Sequence, residues 1–271
     1  MNIYSLKIFA LTLLFIISAF AQVDAKIRSG TVVEKSRLSS IVVIGKVTSL
    51  KANTFRLDIN EVLKGQVDGK EIEVNRLKPS MERPPVPYEI GDQILLFADR
   101  KKNSYYPFED KDGPLKLGPG EVNRYSVLVR KILEFYAAED PDAKTAALSQ
   151  LLGTEDDLSQ ISGLEIFGRE FRASPYLGKP SLPFMINLAK SRDSNVALSA
   201  IRGLASIGDK SAAPVLIELL ESPDGLIARQ ALTSLKWITK ADIEVDTDTP
   251  PQERAEGIKQ WQKWWGENKD K

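Results

Sequence analysis

The sequence predicts an α+β protein of two domains, a small antiparallel β barrel followed by an α-α solenoid. Three observations carry this prediction. From Pro183 to Thr239 one phrase is read twice at an offset of 31 residues, the stretch Val33 to Leu117 alternates branched apolar with polar residues, and no histidine or cysteine occurs anywhere in the 271 residues. With 42% hydrophobic content the chain has material for two cores, and a chain of this length divides into domains.

The first element is an address label. Lys7 precedes the apolar run Ile8 to Phe20, and Ala19-Phe20-Ala21 and Val23-Asp24-Ala25 both suit a signal peptidase. Residues 1–25 are therefore expected to be a signal peptide, cleaved after Ala21 or Ala25, and the mature chain to be periplasmic or secreted. The run is short against the ~20 residues of a membrane span, so no stable membrane insertion is expected after leader cleavage. Without cysteine, stability in an oxidising compartment has to come from packing and not from disulfides.

Residues 26–120 read as strands. Ile41 to Leu50 is nearly continuously apolar and is interrupted by Gly45, where a bend or bulge is expected. Phe55, Leu57 and Ile59 alternate with Arg56, Asp58 and Asn60, so one face is buried and the other wet. Glu71 to Val74, Gln93 to Ala98 and the group Tyr105, Tyr106 and Phe108 supply three more, and five or six short strands make a small barrel or sandwich. The phrases Ile41 to Val47, Glu61 to Gly65 and Gly91 to Phe97 resemble an OB-type barrel of the netrin and metalloproteinase-inhibitor kind, and Gly45 and Gly65 read as positions required by backbone geometry. Members of that family grip the protease metal with an N-terminal cysteine. This chain has none, so inhibition by that route is not implied.

Residues 121–140 carry the amphipathic stripe Val122, Tyr125, Leu128, Val129, Ile132, Leu133 and Tyr136, which predicts a connecting helix ending before Asp140-Pro141. The duplicated phrase follows within 141–240. Pro183, Ile186, Leu188, Ser191, Asp193, Ala197, Ala200 and Leu204 recur as Pro214, Ile217, Leu219, Ser222, Asp224, Ala228, Ala231 and Leu235. Apolar spacings of three and four make each half two helices, with the break at Ser191 to Ser194 and at Ser222 to Gly225, where Asp193 or Ser194 and Asp224 are candidate N-caps. Pro183 and Pro214 fit the start of each first helix. A fainter copy runs from Lys144 to Arg172, with Leu148, Leu151 and Leu152 on one helix and Ile161, Leu164 and Phe167 on the next.

One such hairpin cannot enclose a core, so neighbours must stack. These residues resemble the HEAT-repeat family in its short bacterial form, related to PBS-lyase type repeats. The tail, 250–271, resembles the closing helix of such arrays, with Trp261 and Trp265 on the face of Ile258. The fold class is thus α+β, a small OB-like antiparallel β barrel followed by an α-α, HEAT-like solenoid.

The missing residue types exclude much chemistry. Without histidine there is no Ser-His-Asp or Cys-His relay, and without both histidine and cysteine the common zinc and copper sites cannot be assembled. Gly113-Pro114 and Gly118-Pro119-Gly120 lack the lysine and hydroxyl of a phosphate loop. Glu109, Asp110 and Asp112 crowd one loop, and Asp242, Glu244, Asp246 and Asp248 alternate in another. Such carboxylates can serve as acid–base pairs, and the second run could offer oxygen ligands to calcium, but it lacks the glycine and distal glutamate of a calcium loop and reads as a solvated acidic loop. Arg83 to Tyr88 reads as a proline-rich inter-strand loop. Lysine plus arginine equals aspartate plus glutamate at 37 each, and a nucleic-acid binder would show a basic excess.

The expected function is an exported, non-enzymatic interaction or scaffold protein, with no cofactor, no metal and no nucleic acid. Its partner would be a protein in the cell envelope or outside the cell. The second helices line the concave face of such arrays, which makes Arg202, Ser206, Arg229, Thr233 and Lys236 the candidate binding residues. The alternatives are a protease-inhibitor-like module acting through the barrel loops, or an enzyme of the lyase type that the repeat resemblance implies.

Overall fold

The computed structural model describes residues 31–76, 88–102, 104–108 and 113–269. The leader, residues 83–87 of the proline-rich loop, and Glu109, Asp110 and Asp112 lie outside the described residues. The chain forms two compact units, residues 1–133 and 134–271.

The first unit opens with a short helix α1 (Val32–Leu38), followed by β1 (Ile41–Leu50), β2 (Thr54–Lys64), β3 (Glu71–Asn75), β4 (Gln93–Lys101), β5 (Ser104–Pro107) and β6 (Leu115–Leu117). The sheet order β1-β2-β3-β5-β4 returns to β1 through a β1–β4 pairing, which closes a five-stranded barrel. Every pairing is antiparallel except that of β3 with β5, at Val74 and Tyr105, and β6 extends one edge of β4.

The side-chain period of two explains the strand sequences. Ile41, Val43 and Val47 of β1 and Ile94, Leu96 and Ala98 of β4 point inward to meet Phe55, Leu57, Ile72 and Val74. Val42, Ile44, Leu95 and Phe97 point the other way and are buried against Leu117 and Val129, the latter on helix α2 (Glu121–Ala137). Both faces of β1 and β4 are therefore dry, and their near-continuous apolar runs follow from that. At Gly45 the β1–β2 register slips, and an added Cβ would lie 2.6 Å from the Asp58 carbonyl oxygen. Gly65 adopts a left-handed φ of 76° just beyond β2.

Helix α1 starts at Thr31, whose hydroxyl accepts the Glu34 amide at 3.1 Å. At its other end Lys64 Nζ donates to the carbonyls of Ser36 (3.0 Å) and Arg37 (2.9 Å). Burial lowers the Lys64 pKa, and the charge of Asp99 opposes that shift.

The second unit contains three helical hairpins and a closing helix. The hairpins are α3 (Pro141–Leu152) with α4 (Asp157–Glu170), α5 (Gly178–Leu188) with α6 (Ser194–Ile207), and α7 (Ala213–Glu218) with α8 (Gly225–Thr239). First helices stack on first helices and second on second, α3 on α5 and α4 on α6 on α8, while α9 (Ala255–Asn268) packs on α7. Fully buried Leu148, Leu151, Met185, Ile201, Leu204, Leu216 and Leu235 form the continuous interior that a single hairpin lacks.

The two prolines of the repeated phrase differ in place. Pro214 sits in the first turn of α7 as expected, but Pro183 lies inside α5, which begins at Gly178 after a 3-10 turn at Pro175–Leu177. The offset aligns the apolar faces of the helices and not their starts. Pro183 accordingly forfeits the amide that would bond to the Lys179 carbonyl.

Candidate functional site

The three hairpins turn by the same local chemistry. In the second, Ser191 Oγ accepts the Asp193 amide at 3.2 Å and Asp193 Oδ1 accepts the Asn195 amide at 2.8 Å. In the third, Ser222 and Asp224 do the same at 3.2 and 2.9 Å. In the first, Thr154 Oγ1 accepts the Asp156 amide at 3.2 Å and Asp156 Oδ2 accepts that of Ser159 at 2.8 Å. Successive turns are also linked, because Ser194 Oγ donates to Asp224 Oδ2 at 3.1 Å. These caps set α4, α6 and α8 in a common register.

From that register the outward stripes follow by the helical spacing of four. They run Ile161, Glu165 and Arg169 on α4; Arg202 and Ser206 on α6; and Arg229, Thr233 and Trp237 on α8. Ile161 is 43% exposed and Trp237 39%. Lys240 Nζ stands 3.9 Å from the centre of the Trp237 ring and holds one of its faces.

All five candidate binding residues lie on α6 or α8, and their environments differ. Ser206 and Thr233 are exposed, and each hydroxyl donates back into its own helix at 2.9 Å, to the Arg202 and Arg229 carbonyls. Arg229 is ion-paired with Asp248. Lys236 is paired with Asp242 at 2.8 Å and with Glu244. Burial pulls the Lys236 pKa down, but its two carboxylate partners outweigh this and raise it; Lys236 in turn holds Asp242 below the ordinary carboxylate value. Arg202 is half-buried, and its guanidinium makes no hydrogen bond or ion pair among the described residues. Burial lowers its pKa.

The acidic run that contacts α8 is an ordered strap. Its alternation is that of an extended chain, with Val245 and Thr247 buried while Asp242, Glu244, Asp246 and Asp248 remain exposed. The strap is held from behind by Arg254, only 4% exposed, whose guanidinium donates to the carbonyls of Leu220 (3.0 Å), Ser222 (2.8 Å), Thr247 (3.0 Å) and Thr249 (2.9 Å). Trp261, fully buried on α9, donates its indole N–H to the Ile243 carbonyl at 3.2 Å. Among the described residues no three His, Cys, Asp or Glu side chains converge as metal ligands would, and no helix is long and apolar enough to cross a membrane. An open depression of about 370 Å³ borders Lys190, Ser191, Glu218 and Ser222, and the Lys190–Glu218 ion pair joins the second hairpin to the third beside it.

Sequence reasoning put Ile161 on the apolar stripe with buried Leu164 and Phe167, where the structure leaves it exposed, and it did not single out Trp237 or Arg254. The exposure of Ile161 and the place of Trp237 were within reach, since Trp237 stands one repeat offset after Ser206 and Ile161 shares the stripe of Glu165. A family model described as HEAT repeats matches residues 176–247, which span the second and third hairpins and most of the strap. No curated protein matches the chain. The second and third hairpins are therefore similar to HEAT repeats, and the first hairpin precedes the matched segment.

Proposed function

We propose that this protein is an exported, non-enzymatic scaffold that docks a protein partner on the outward face of α4, α6 and α8. The observation that carries this reading is the common register of the three second helices, which leaves Ile161 and Trp237 uncovered on one aligned surface. Repeat arrays use such extended faces for recognition, and a half-exposed tryptophan held by a neighbouring cation is a ready anchor. The leader-like first 25 residues support a partner met outside the cytoplasm, and the balanced charge argues against nucleic acid as that partner.

The test is photo-crosslinking in the native cell. A photoreactive residue at Ser206 or Thr233 should capture one discrete partner, whereas the same probe at Asn187, exposed on α5, should not. Equal capture from both faces would refute the assignment. N-terminal sequencing of the mature protein should return Gln22 or Lys26, and a chain beginning at Met1 would refute export.

A further inference from the structure

We infer that Arg202 is the carboxylate anchor of this face, and that the partner docked there is an extended acidic segment of another protein. The inference rests on the docking-face reading above and adds the chemistry of what is bound.

The second unit treats its other shielded cations consistently. Lys144 lies over the Phe135 ring at 5.7 Å, Lys236 has two carboxylates, and buried Arg254 has four carbonyls. Arg202, also withdrawn from water, has nothing comparable among the described residues. A guanidinium partly stripped of water without a counter-charge is destabilising, and a partner that supplies one relieves that penalty on binding.

Its surroundings leave the position open for such a partner. By register Arg202 stands between Glu165 and Thr233 on the adjacent helices. Glu165 is engaged by Arg169 at 2.9 Å, and the Thr233 hydroxyl proton is committed to its own helix. Arg229 and Lys236 are already neutralised by the strap, so they neither compete for an incoming carboxylate nor extend the positive patch.

What results is one guanidinium without a partner among the described residues, on a face whose neighbouring helices display Ile161 and Trp237. A planar fork of donors matches a carboxylate in two parallel hydrogen bonds. Phosphate-reading sites gather several arginines, and this face offers a single free one. The complementary ligand is thus an extended chain in which a glutamate or aspartate is flanked by apolar side chains. Trp237 is already braced by Lys240, so little ordering is required of it when that chain binds.

The experiment titrates the full mature chain against fluorescein-labelled decapeptides of alternating glutamate and leucine, with glutamine–leucine, lysine–leucine and phosphoserine–leucine peptides alongside, read by anisotropy. The glutamate peptide should bind at least about tenfold more tightly than the glutamine peptide, and the lysine peptide least. Arg202→Gln should abolish the preference and Arg202→Lys restore only part of it, while Lys263→Gln on α9 should leave it intact. Thermal unfolding of each variant, followed by tryptophan fluorescence, separates lost binding from lost folding.

No binding of the glutamate peptide, equal binding of its glutamine analogue, or a preference that survives Arg202→Gln would overturn the inference. Tighter binding of the phosphoserine peptide would overturn the choice of carboxylate. If the glutamate and glutamine peptides bind equally and both are weakened by Trp237→Ala, the docking face stands and the anchor falls. Binding indifferent to both Arg202 and Trp237 removes the face as well.

Discussion

Replacing Arg254 with alanine should detach the strap and the closing helix from the third hairpin. The guanidinium gives four hydrogen bonds of 2.8 to 3.0 Å, all to backbone carbonyls, from a side chain only 4% exposed. Hydrogen bonds from a charged group contribute about 1.5–3 kcal/mol each, a gross range of about 6–12 kcal/mol. Burial of the cation opposes this by several kcal/mol. The net loss expected for Arg254→Ala is about 3–5 kcal/mol, a large share of the roughly 5–15 kcal/mol that holds a domain folded.

An apolar replacement does not rescue the site as it can rescue a buried ion pair. The acceptors here belong to the main chain and stay behind unsatisfied, so Arg254→Met should still cost about 2–4 kcal/mol. Urea unfolding is the assay, and its probe is selective because all four tryptophans, Trp237, Trp261, Trp264 and Trp265, lie in the second unit. With a denaturant slope of about 1.5 kcal/mol per molar the alanine variant should shift the midpoint by about 2–3 M. Midpoints within about 0.5 M of the parent for both variants would refute the view that Arg254 fastens the end of the array.

Asp193→Ala and Asp224→Ala each remove an N-cap and should each cost about 1 kcal/mol in the same urea assay. The double variant should depart from additivity, because Ser194 ties one turn to the next cap. Ser234→Ala should be neutral or stabilising by up to about 1 kcal/mol, since the Ser234 hydroxyl is 1% exposed with no hydrogen-bond partner among the described residues; a clear loss of melting temperature would contradict this. Asp209 is held below its ordinary value of 3.8 by the amide and hydroxyl of Ser211, aided by Lys179. A depressed carboxyl contributes stability that is full above the unfolded pKa and is lost as pH falls through the folded one. Asp209→Asn should therefore flatten the stability-versus-pH curve below about pH 4 and leave its slope at neutral pH unchanged.

The parts of the fold legible in the sequence are those whose signal is local and periodic. Ile41–Leu50 could be delimited because both of its faces are dry, and the hairpin breaks because Asp193 and Asp224 stand where a helix needs an acceptor. Helix α1 was missed although Thr31 and Glu34 have capping-box spacing, since its seven residues are too few to show a period. β6 was missed for the same reason. Pro183 was misplaced because the repeat offset records which faces pack together and not where helices begin. At the candidate site, Asp242 to Asp248 read only as a solvated acidic loop, because its pairing with Arg229 and Lys236 depends on how the chain returns over α8. Arg254 left no trace at all, because its partners are carbonyls that every residue carries.

The way the array ends bears on where recognition can occur. A HEAT hairpin buries its stripe against the next one, so the last hairpin would expose an apolar edge onto which another copy could stack. Here α9 takes the place of a further first helix beside α7, with Trp261 fully buried beneath it, while the strap lies over α8 where a further second helix would stand. Their outer sides carry Asp242, Glu244, Asp246 and Asp248 and then Lys259, Lys263 and Glu267, all exposed. Charges of both signs in water make that end a poor template for head-to-tail growth. The strap also pairs with two α8 cations, Arg229 and Lys236, and leaves the Arg202 guanidinium on α6 without a carboxylate among the described residues, between the exposed apolar groups of α4 and α8. The terminal cap thereby closes the end of the array and leaves Arg202 as the arginine of that face without a carboxylate among the described residues, which is where the proposed partner's carboxylate would be read.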